Sequence, residues 1–424
     1  ALVPGAKRAL LVGLGSGVTA GTALKWPLER LDVAELSPAV VQATQFFSEQ
    51  NGNPLSDPRL KLHVGDGRAF LRSSEGGYDA VVSEPSNPWI AGVGNLFTSE
   101  YFSLVRSKLR PGGVMVQWFH LYETEDPLVR SIVGTFCDSF DDASLWRTNG
   151  GDAFLVGFNG RRPPDFAALE KGLAGQTKAA MDRLGLEGPA ALLALQTAAD
   201  AGTRGFGYWS RRNSDWHPFL EYAAPRGRFL RSNAEELKRL DEAVGPYKGD
   251  LLLSRYLAWR KKPLSEAEIR SVLSYSKTIR GDWRLALARE WGAGKPGASE
   301  PRLWEARMHI EREEPGEALK VLDAIKNSAG PERWTLAADA LEALERVPDA
   351  RGALAKAAKS VKGTASAEIW LRSALLAMDL NDAQGALDAL TAALKADPEH
   401  EQSRSLLDHL VNAYSSGPSV EKGN

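Results

Sequence analysis

Gly13-Leu14-Gly15-Ser16-Gly17 is the first run in this sequence whose residue types suit chemistry. Glycine at these points permits a tight turn and lets the backbone come close to a ligand. The same spacing serves NAD, FAD and S-adenosylmethionine, and some glycine loops bind nothing, so the run alone names no ligand. Two acids narrow the choice. Glu35 stands 18 residues past Gly17 at the end of a predicted strand, where a carboxylate can accept hydrogen bonds from both ribose hydroxyls. The alternative for Glu35 is a surface acid at a helix start. Asp66-Gly67 ends the next predicted strand, where the acid can take the adenine amino group and the glycine lets the base lie on the backbone. NAD sites do not usually need this third landmark, which points to an S-adenosylmethionine type of nucleoside.

A second group of residues follows the fourth predicted strand, in Ser83-Glu84-Pro85-Ser86-Asn87-Pro88-Trp89. A sulfonium carbon is already a good electrophile, so a protein need only align a nucleophile behind it and remove the nucleophile's proton. Glu84 is the expected base, since ligands collect at the carboxyl ends of parallel strands; its alternative is a loop acid capping a helix. Ser86 is placed in the substrate pocket, and Asn87 is expected to orient substrate. Trp89, Trp118 and Tyr122 are expected to wall the pocket and to meet a cation through their faces, each being otherwise a packing residue. His120, Asp215 and His217 are further candidates. Asp79 reads as a residue at the start of a strand, and the lone Cys137, in an apolar run, as buried filler. None of the six histidines has metal-ligand spacing, so no metal is expected.

The elements that must position these residues are short apolar runs alternating with helical segments, the pattern of a mostly parallel α/β sheet. Strands are predicted at 9–13, 30–35, 60–64, 80–83, 113–117 and 153–158, and helices at 18–26, 38–50, 68–72, 99–108 and 126–140. This Rossmann-like domain, of the class I methyltransferase type, is placed at residues 1–161. Residues 162–247 are expected to form a helical extension packed on it, with a loop returning toward the nucleotide site. From 248 to 424 the chain reads as helical repeats: Glu317-Ala318-Leu319, Gly352-Ala353-Leu354 and Gly385-Ala386-Leu387 place their alanines 35 and 33 residues apart. That brackets the tetratricopeptide period of about 34 residues. Trp370, Ala374, Ala377, Ala386, Leu390, Ala393 and Pro398 make the last copy the clearest. Such pairs offer a surface to a protein partner, the alternative being a helical stack without one.

A net charge of −2, with basic residues scattered among acids, gives no reason to expect nucleic acid. No stretch has the roughly 18 apolar residues of a membrane span.

These residues resemble the spermidine synthase (polyamine aminopropyltransferase) family over about residues 7–158, with a weaker echo near 213–226. The likeness rests on an ordered series: Asp57-Pro58-Arg59-Leu60, Gly65-Asp66-Gly67-Arg68, Tyr78-Asp79, Pro85 to Pro88, Leu96-Phe97-Thr98 and Glu100-Tyr101-Phe102. The resemblance implies binding of decarboxylated S-adenosylmethionine and transfer of its aminopropyl group to an amine, leaving methylthioadenosine. It implies that Glu35 holds the ribose and Asp66 the adenine. Three positions depart from the family pattern: Ser16 stands where the family has an acid for the aminopropyl amine, and Glu84 and Asn87 stand where it has two Asp. Desolvated ammonium groups need compensating charge, which argues against ordinary putrescine aminopropylation. Residues 83–89 also look like those of relatives fused to membrane regions. With a chain that opens at Ala1 close to the glycine loop, this implies an upstream part and a place in the cytoplasm, on the cytoplasmic face of a membrane.

The expected function is therefore displacement of the alkyl chain of S-adenosylmethionine or its decarboxylated form, by transfer to a small-molecule amine or by intramolecular, lyase-type cleavage. The rivals are a methyltransferase and a non-catalytic nucleoside sensor coupled to the repeats.

Overall fold

The computed structural model describes residues 2–148, 151–237, 240, 250–275, 282–325 and 330–415. The chain divides into two compact units, Ala1–Trp283 and Arg284–Asn424. The boundary expected at 247/248 lies outside the described residues.

The first unit is built on one eight-stranded sheet. Its strands are β1 (Arg8–Val12), β2 (Arg30–Glu35), β3 (Leu60–Val64), β4 (Tyr78–Ser83), β5 (Leu109–His120), β6 (Asp142–Arg147), β7 (Asp152–Phe158) and β8 (Gln196–Ala198), in the order β3-β2-β1-β4-β5-β7-β6-β8. The first five are parallel, and β7, β6 and β8 add antiparallel pairs. Chain order reverses between β1 and β4, which opens a crevice at their carboxyl ends, the place where such sheets bind ligands.

The helices of the described part of this unit are α1 (Val18–Ala23), α2 (Pro38–Ala43), α3 (Ser48–Asn51), α4 (Gly67–Ser73), α5 (Ser99–Lys108), α6 (Asp126–Cys137), α7 (Phe166–Gly172), α8 (Gln176–Arg183), α9 (Gly188–Leu193), α10 (Asp200–Gly207), α11 (Phe219–Phe229), α12 (Leu252–Arg260) and α13 (Glu266–Tyr275). A larger core under α5 and α6 gathers Leu10, Val81, Phe102, Met115, Phe119 and Phe136. A smaller one under α1 gathers Leu11, Ala20, Leu24, Leu31 and Val33.

Several boundaries differ from the sequence expectation, each for a visible reason. The helix expected at 18–26 stops at Ala23, because the Arg59 guanidinium donates to the carbonyls of Leu24, Trp26 and Leu28 and so satisfies the helix end. The helix expected at 38–50 breaks into α2, a 3-10 turn at Thr44–Phe47, and α3. There the Thr44 hydroxyl bonds back to the Val40 carbonyl and also to that of Gly15, a competition that bends helices. The strand expected at 113–117 is longer, because β5 begins at Leu109 and runs through Gly112 and Gly113, its pairing with β4 shifting register between Tyr78 and Ala80. The strand β6 was not expected; it pairs with β7 as a hairpin.

Asp79 accepts from the backbone N–H groups of Lys7 and Arg8 and pairs with Arg110, tying β1 to β4 as a structural acid. Cys137 is buried, and burial pushes its thiol up to about 12, the behaviour of a packing residue.

The second unit contains the helices that follow α14 (Asp282–Gly294): α15 (Glu300–Glu311), α16 (Pro315–Asp323), α17 (Gly330–Ala343), α18 (Val347–Lys359), α19 (Thr364–Asp379), α20 (Ala383–Ala396) and α21 (Glu401–Ser415). Among the described residues three helix-turn-helix pairs recur with one turn geometry. Glu313, Glu345 and Asn381 take left-handed φ of 63°, 57° and 56°. The next N–H in each turn, of Glu314, Arg346 or Asp382, bonds at 2.8 Å to the carbonyl five residues back. This is the Schellman closure of a helix. Ala318, Ala353 and Ala386 are buried at equivalent places in the second helix of each pair. Among the described residues no helix is long and apolar enough to cross a membrane.

The segment before α11 is held to the 3-10 turn at Val93–Phe97 by a buried side chain. Asn213 is fully buried; its amide donates to the carbonyls of Gly94 and Phe97 and accepts from the N–H of Leu220. Replacing it by Ala leaves these groups without partners, so Asn213→Ala is expected to cost about 1–3 kcal/mol in urea unfolding and to speed proteolysis between residues 209 and 220.

Candidate functional site

The crevice is formed by two loops pressed together. Gly13, Gly15 and Gly17 have φ of 94°, 51° and 78°, which glycine adopts without strain. At Gly13 the close approach adds a second requirement, because a Cβ there would lie 2.3 Å from the carbonyl oxygen of Glu84. The N–H of Glu84 donates to the Val12 carbonyl at 2.9 Å, so the β4 loop continues the ladder beyond the strand. Two side chains from the broken α2–α3 segment hold the glycine loop from outside. Thr44 bonds the Gly15 carbonyl, and the buried Asn51 amide donates to the Ser16 carbonyl at 2.8 Å.

Glu35 ends β2 and is 8% exposed. Its two carboxylate oxygens accept from the N–H of Leu14 and of Ser37, each at 2.8 Å. Glu35 is thus fixed against the glycine loop with lone pairs left over for hydroxyl donors. Asp66 is exposed and caps α4, accepting from the Ala69 N–H at 2.6 Å. A Cβ on Gly67 would lie 2.7 Å from a Val12 methyl, so the chain there lies flat against β1.

Glu84 is half-buried at the carboxyl end of β4, and the Thr19 hydroxyl on α1 donates to it at 2.9 Å. Burial raises its pKa from the ordinary carboxylate value, with the Thr19 bond acting weakly the other way. Thr19 was missed from sequence, although its position two residues past Gly17 puts it on the first turn of α1. Ser86 is exposed and Asn87 half-buried in the turn closed by the Ile90 N–H on the Asn87 carbonyl.

Val82 lies opposite Val116, so strand alternation puts Glu84, Trp118 and His120 on one face of the sheet edge. Trp89 meets His120 edge-on at 4.5 Å, and the His120 ring is 4.8 Å from Tyr122 and 5.8 Å from Trp118. Aromatic residues 89, 118, 120 and 122 therefore form one cluster, with His120 meeting each of the other three rings. His120 is 3% exposed, neither ring nitrogen has a hydrogen-bond partner, and burial lowers its pKa to about 4. Asp215 and His217 are not in this group. Asp215 is bound to Arg68 through both oxygens and held below the usual carboxylate range by it, and the exposed His217 sits in a turn with Ser214. Among the described residues no cluster of His, Cys, Asp or Glu is arranged to hold a metal ion.

Residues 1–143 match the family of the spermine/spermidine synthase domain. Spermidine synthase 1 of Datura stramonium is 37% identical over 131 residues, 29% of this chain and 42% of that protein. The polyamine aminopropyltransferase of Korarchaeum cryptofilum is 37% identical over 111 residues, 26% of this chain and 34% of that protein. Putrescine N-methyltransferase 3 of Nicotiana tabacum is 35% identical over 127 residues, 28% of this chain and 33% of that protein. The chain thus spans about a third to two-fifths of these relatives. Its amino-terminal part is a spermidine synthase-like domain of Rossmann-like, methyltransferase type; none of these relatives lends support to cleavage without an acceptor.

A buried imidazole with a depressed pKa couples stability to pH. The unfolded chain takes up a proton below about pH 6.5 that the folded ring refuses until about pH 4, so stability is lost as pH falls through that window. Wild type should lose up to about 3 kcal/mol more than His120→Phe between about pH 7 and about pH 4, a difference that denaturant melts at each pH will measure.

Proposed function

We propose that the spermidine synthase-like domain transfers an alkyl group from an adenosyl sulfonium to an amine, with Glu84 as the general base. The observation that carries this reading is the place of Glu84: half-buried, raised in pKa, oriented by Thr19, and across the switch-point crevice from Glu35. Glu35 would hold the ribose hydroxyls, Asp66 the adenine amino group, and the glycine loop the nucleoside backbone. Asn87 would orient the acceptor. The acceptor nitrogen forms a bond to the carbon next to sulfur as the carbon–sulfur bond breaks. Its electron pair stays on sulfur, which leaves as a neutral thioether, and the nitrogen's proton passes to Glu84. A carboxylate whose pKa is lifted toward the working pH is a better match to that proton than an ordinary one.

Decarboxylated S-adenosylmethionine is the proposed donor, giving methylthioadenosine. A second reading, methyl transfer from S-adenosylmethionine, is favoured by Ser16, whose neutral hydroxyl gives the glycine loop no charge for an aminopropyl ammonium, and by the putrescine N-methyltransferase among the relatives. The repeated helix pairs of the second unit are proposed as a tetratricopeptide-like surface for a protein partner.

The test is to incubate the protein with each donor and a small amine and to identify the nucleoside product by mass spectrometry. Methylthioadenosine supports chain transfer, S-adenosylhomocysteine methyl transfer, and binding without product overturns both in favour of a sensor. Glu84→Gln should lower kcat about a hundredfold or more with nucleoside binding retained. Because the base works only when deprotonated, the wild-type rate should rise with pH through a limb above the ordinary carboxylate value of 4.5, and the variant should lack that limb.

A further inference from the structure

One stripe of α11 grips the loop that carries Glu84 and Asn87. Glu221 and Arg228 stand seven residues apart on that helix, two turns, so they share a stripe and are separated by about 10 Å along its axis. Glu221 accepts from the Gly92 N–H at 2.8 Å, and the Arg228 guanidinium lies 5.2 Å from the centroid of the Trp89 ring. Trp89 and Gly92 are three residues apart, a reach of up to about 10 Å for an extended chain. Two points on the loop thus meet two points of similar spacing on the helix. The hold at Gly92 reaches Asn87 through the backbone: the Val93 N–H bonds the Ile90 carbonyl and the Ile90 N–H bonds the Asn87 carbonyl, two turns in series, each at 3.0 Å. The helix is itself firmly seated. Asn213 accepts from the N–H of Leu220, next to Glu221, and a Cβ on Gly227 would lie 3.0 Å from the Glu123 carbonyl. The second carboxylate oxygen of Glu221 is buried with no hydrogen-bond partner, 2.8 Å from where a Cβ on Gly94 would lie. Packing alone does not call for such a group, since an apolar side chain there would leave no oxygen unpaired.

We infer that α11 clamps the loop after β4, with Glu221 as a positioning residue that sets Asn87, and through it the acceptor, against Glu84. Arg228 steadies the same loop at Trp89. The inference rests on the transferase reading for the roles of Glu84 and Asn87. Neither Glu221 nor Arg228 touches the reacting atoms. Glu221 acts by fixing where the loop lies, with one end of the loop held on Val12 through the Glu84 N–H and the other on α11. Its loss therefore slows the step that depends on alignment. Nucleoside binding, which rests on Glu35 and the glycine loop, is left in place.

The experiment compares the full chain with Glu221→Ala, Glu221→Gln and Arg228→Ala, by amide hydrogen exchange and by steady-state kinetics with each donor and butane-1,4-diamine. In Glu221→Ala the amides between residues 86 and 93 should exchange about tenfold faster or more while those of β1 and β2 do not change. Its kcat should fall about tenfold or more, with methylthioadenosine affinity within about twofold of wild type. Glu221→Gln keeps an oxygen for the Gly92 N–H and should stay within about threefold of wild type in both measurements. Arg228→Ala should show a smaller effect of the same kind, and the double variant with Glu221→Ala should lose less than the product of the single losses, because both act on one loop. Unchanged loop exchange in Glu221→Ala, faster loop exchange with unchanged kcat, or a Glu221→Gln as slow as Glu221→Ala overturns the positioning role even if transfer occurs. Faster exchange confined to the loop, with no product from any of the proteins, keeps the clamp and removes the transferase.

Discussion

The approach of the glycine loop to the loop after β4 is the constraint on which the site depends. A single carbon added at Gly13 would meet the Glu84 carbonyl at 2.3 Å, so the glycine loop and the loop after β4 meet backbone to backbone. The Glu84 N–H on Val12 holds that contact from below, and Thr19 holds the Glu84 carboxylate from above. Glu35 extends the arrangement sideways by taking the N–H groups of Leu14 and Ser37. Three adjacent parallel strands, β2, β1 and β4, thereby set the distance between the Glu35 and Glu84 carboxylates without any flexible link between them, the preorganisation that alignment chemistry requires.

Burial acts on the titratable groups of this edge in opposite directions for a single physical reason: it disfavours charge. It raises Glu84 and Asp152, which must lose a proton to become charged, and lowers His120, which must gain one. A polar group kept in such surroundings without a partner is destabilising by itself. Two unbonded nitrogens in His120 are therefore a stability cost that folding alone gives no reason to keep, in line with the usual conflict between a functional edge and the best-packed core.

The second unit follows a different logic. Among its described residues three helix pairs close with the same Schellman turn, and in two of them a glutamate rather than glycine occupies the left-handed position. A buried small residue at Ala318, Ala353 and Ala386 lets helix approach helix, so stability there comes from repetition of one local contact rather than from a central sheet.

The sequence by itself determined the βα alternation, the glycine loop, the places of Glu35, Asp66 and Glu84 at strand ends, and the spacing of the helical repeats. All of these are local: they follow from residue type and from periods of two and about 3.6 residues. What tertiary structure decided is whatever depends on a partner far along the chain. The helix ends at Ala23 and Ala43 were set by Arg59 and by the Thr44–Gly15 bond, and β6 became a strand because β7 pairs with it. Asp215, read as a site candidate, is taken by Arg68, 147 residues away. Asp152, unremarked in sequence, stands beside His120 because an antiparallel register put it there. Pattern along a chain carries periodicity, whereas which face meets which neighbour is fixed by strand order and register, and no single stretch of sequence contains those.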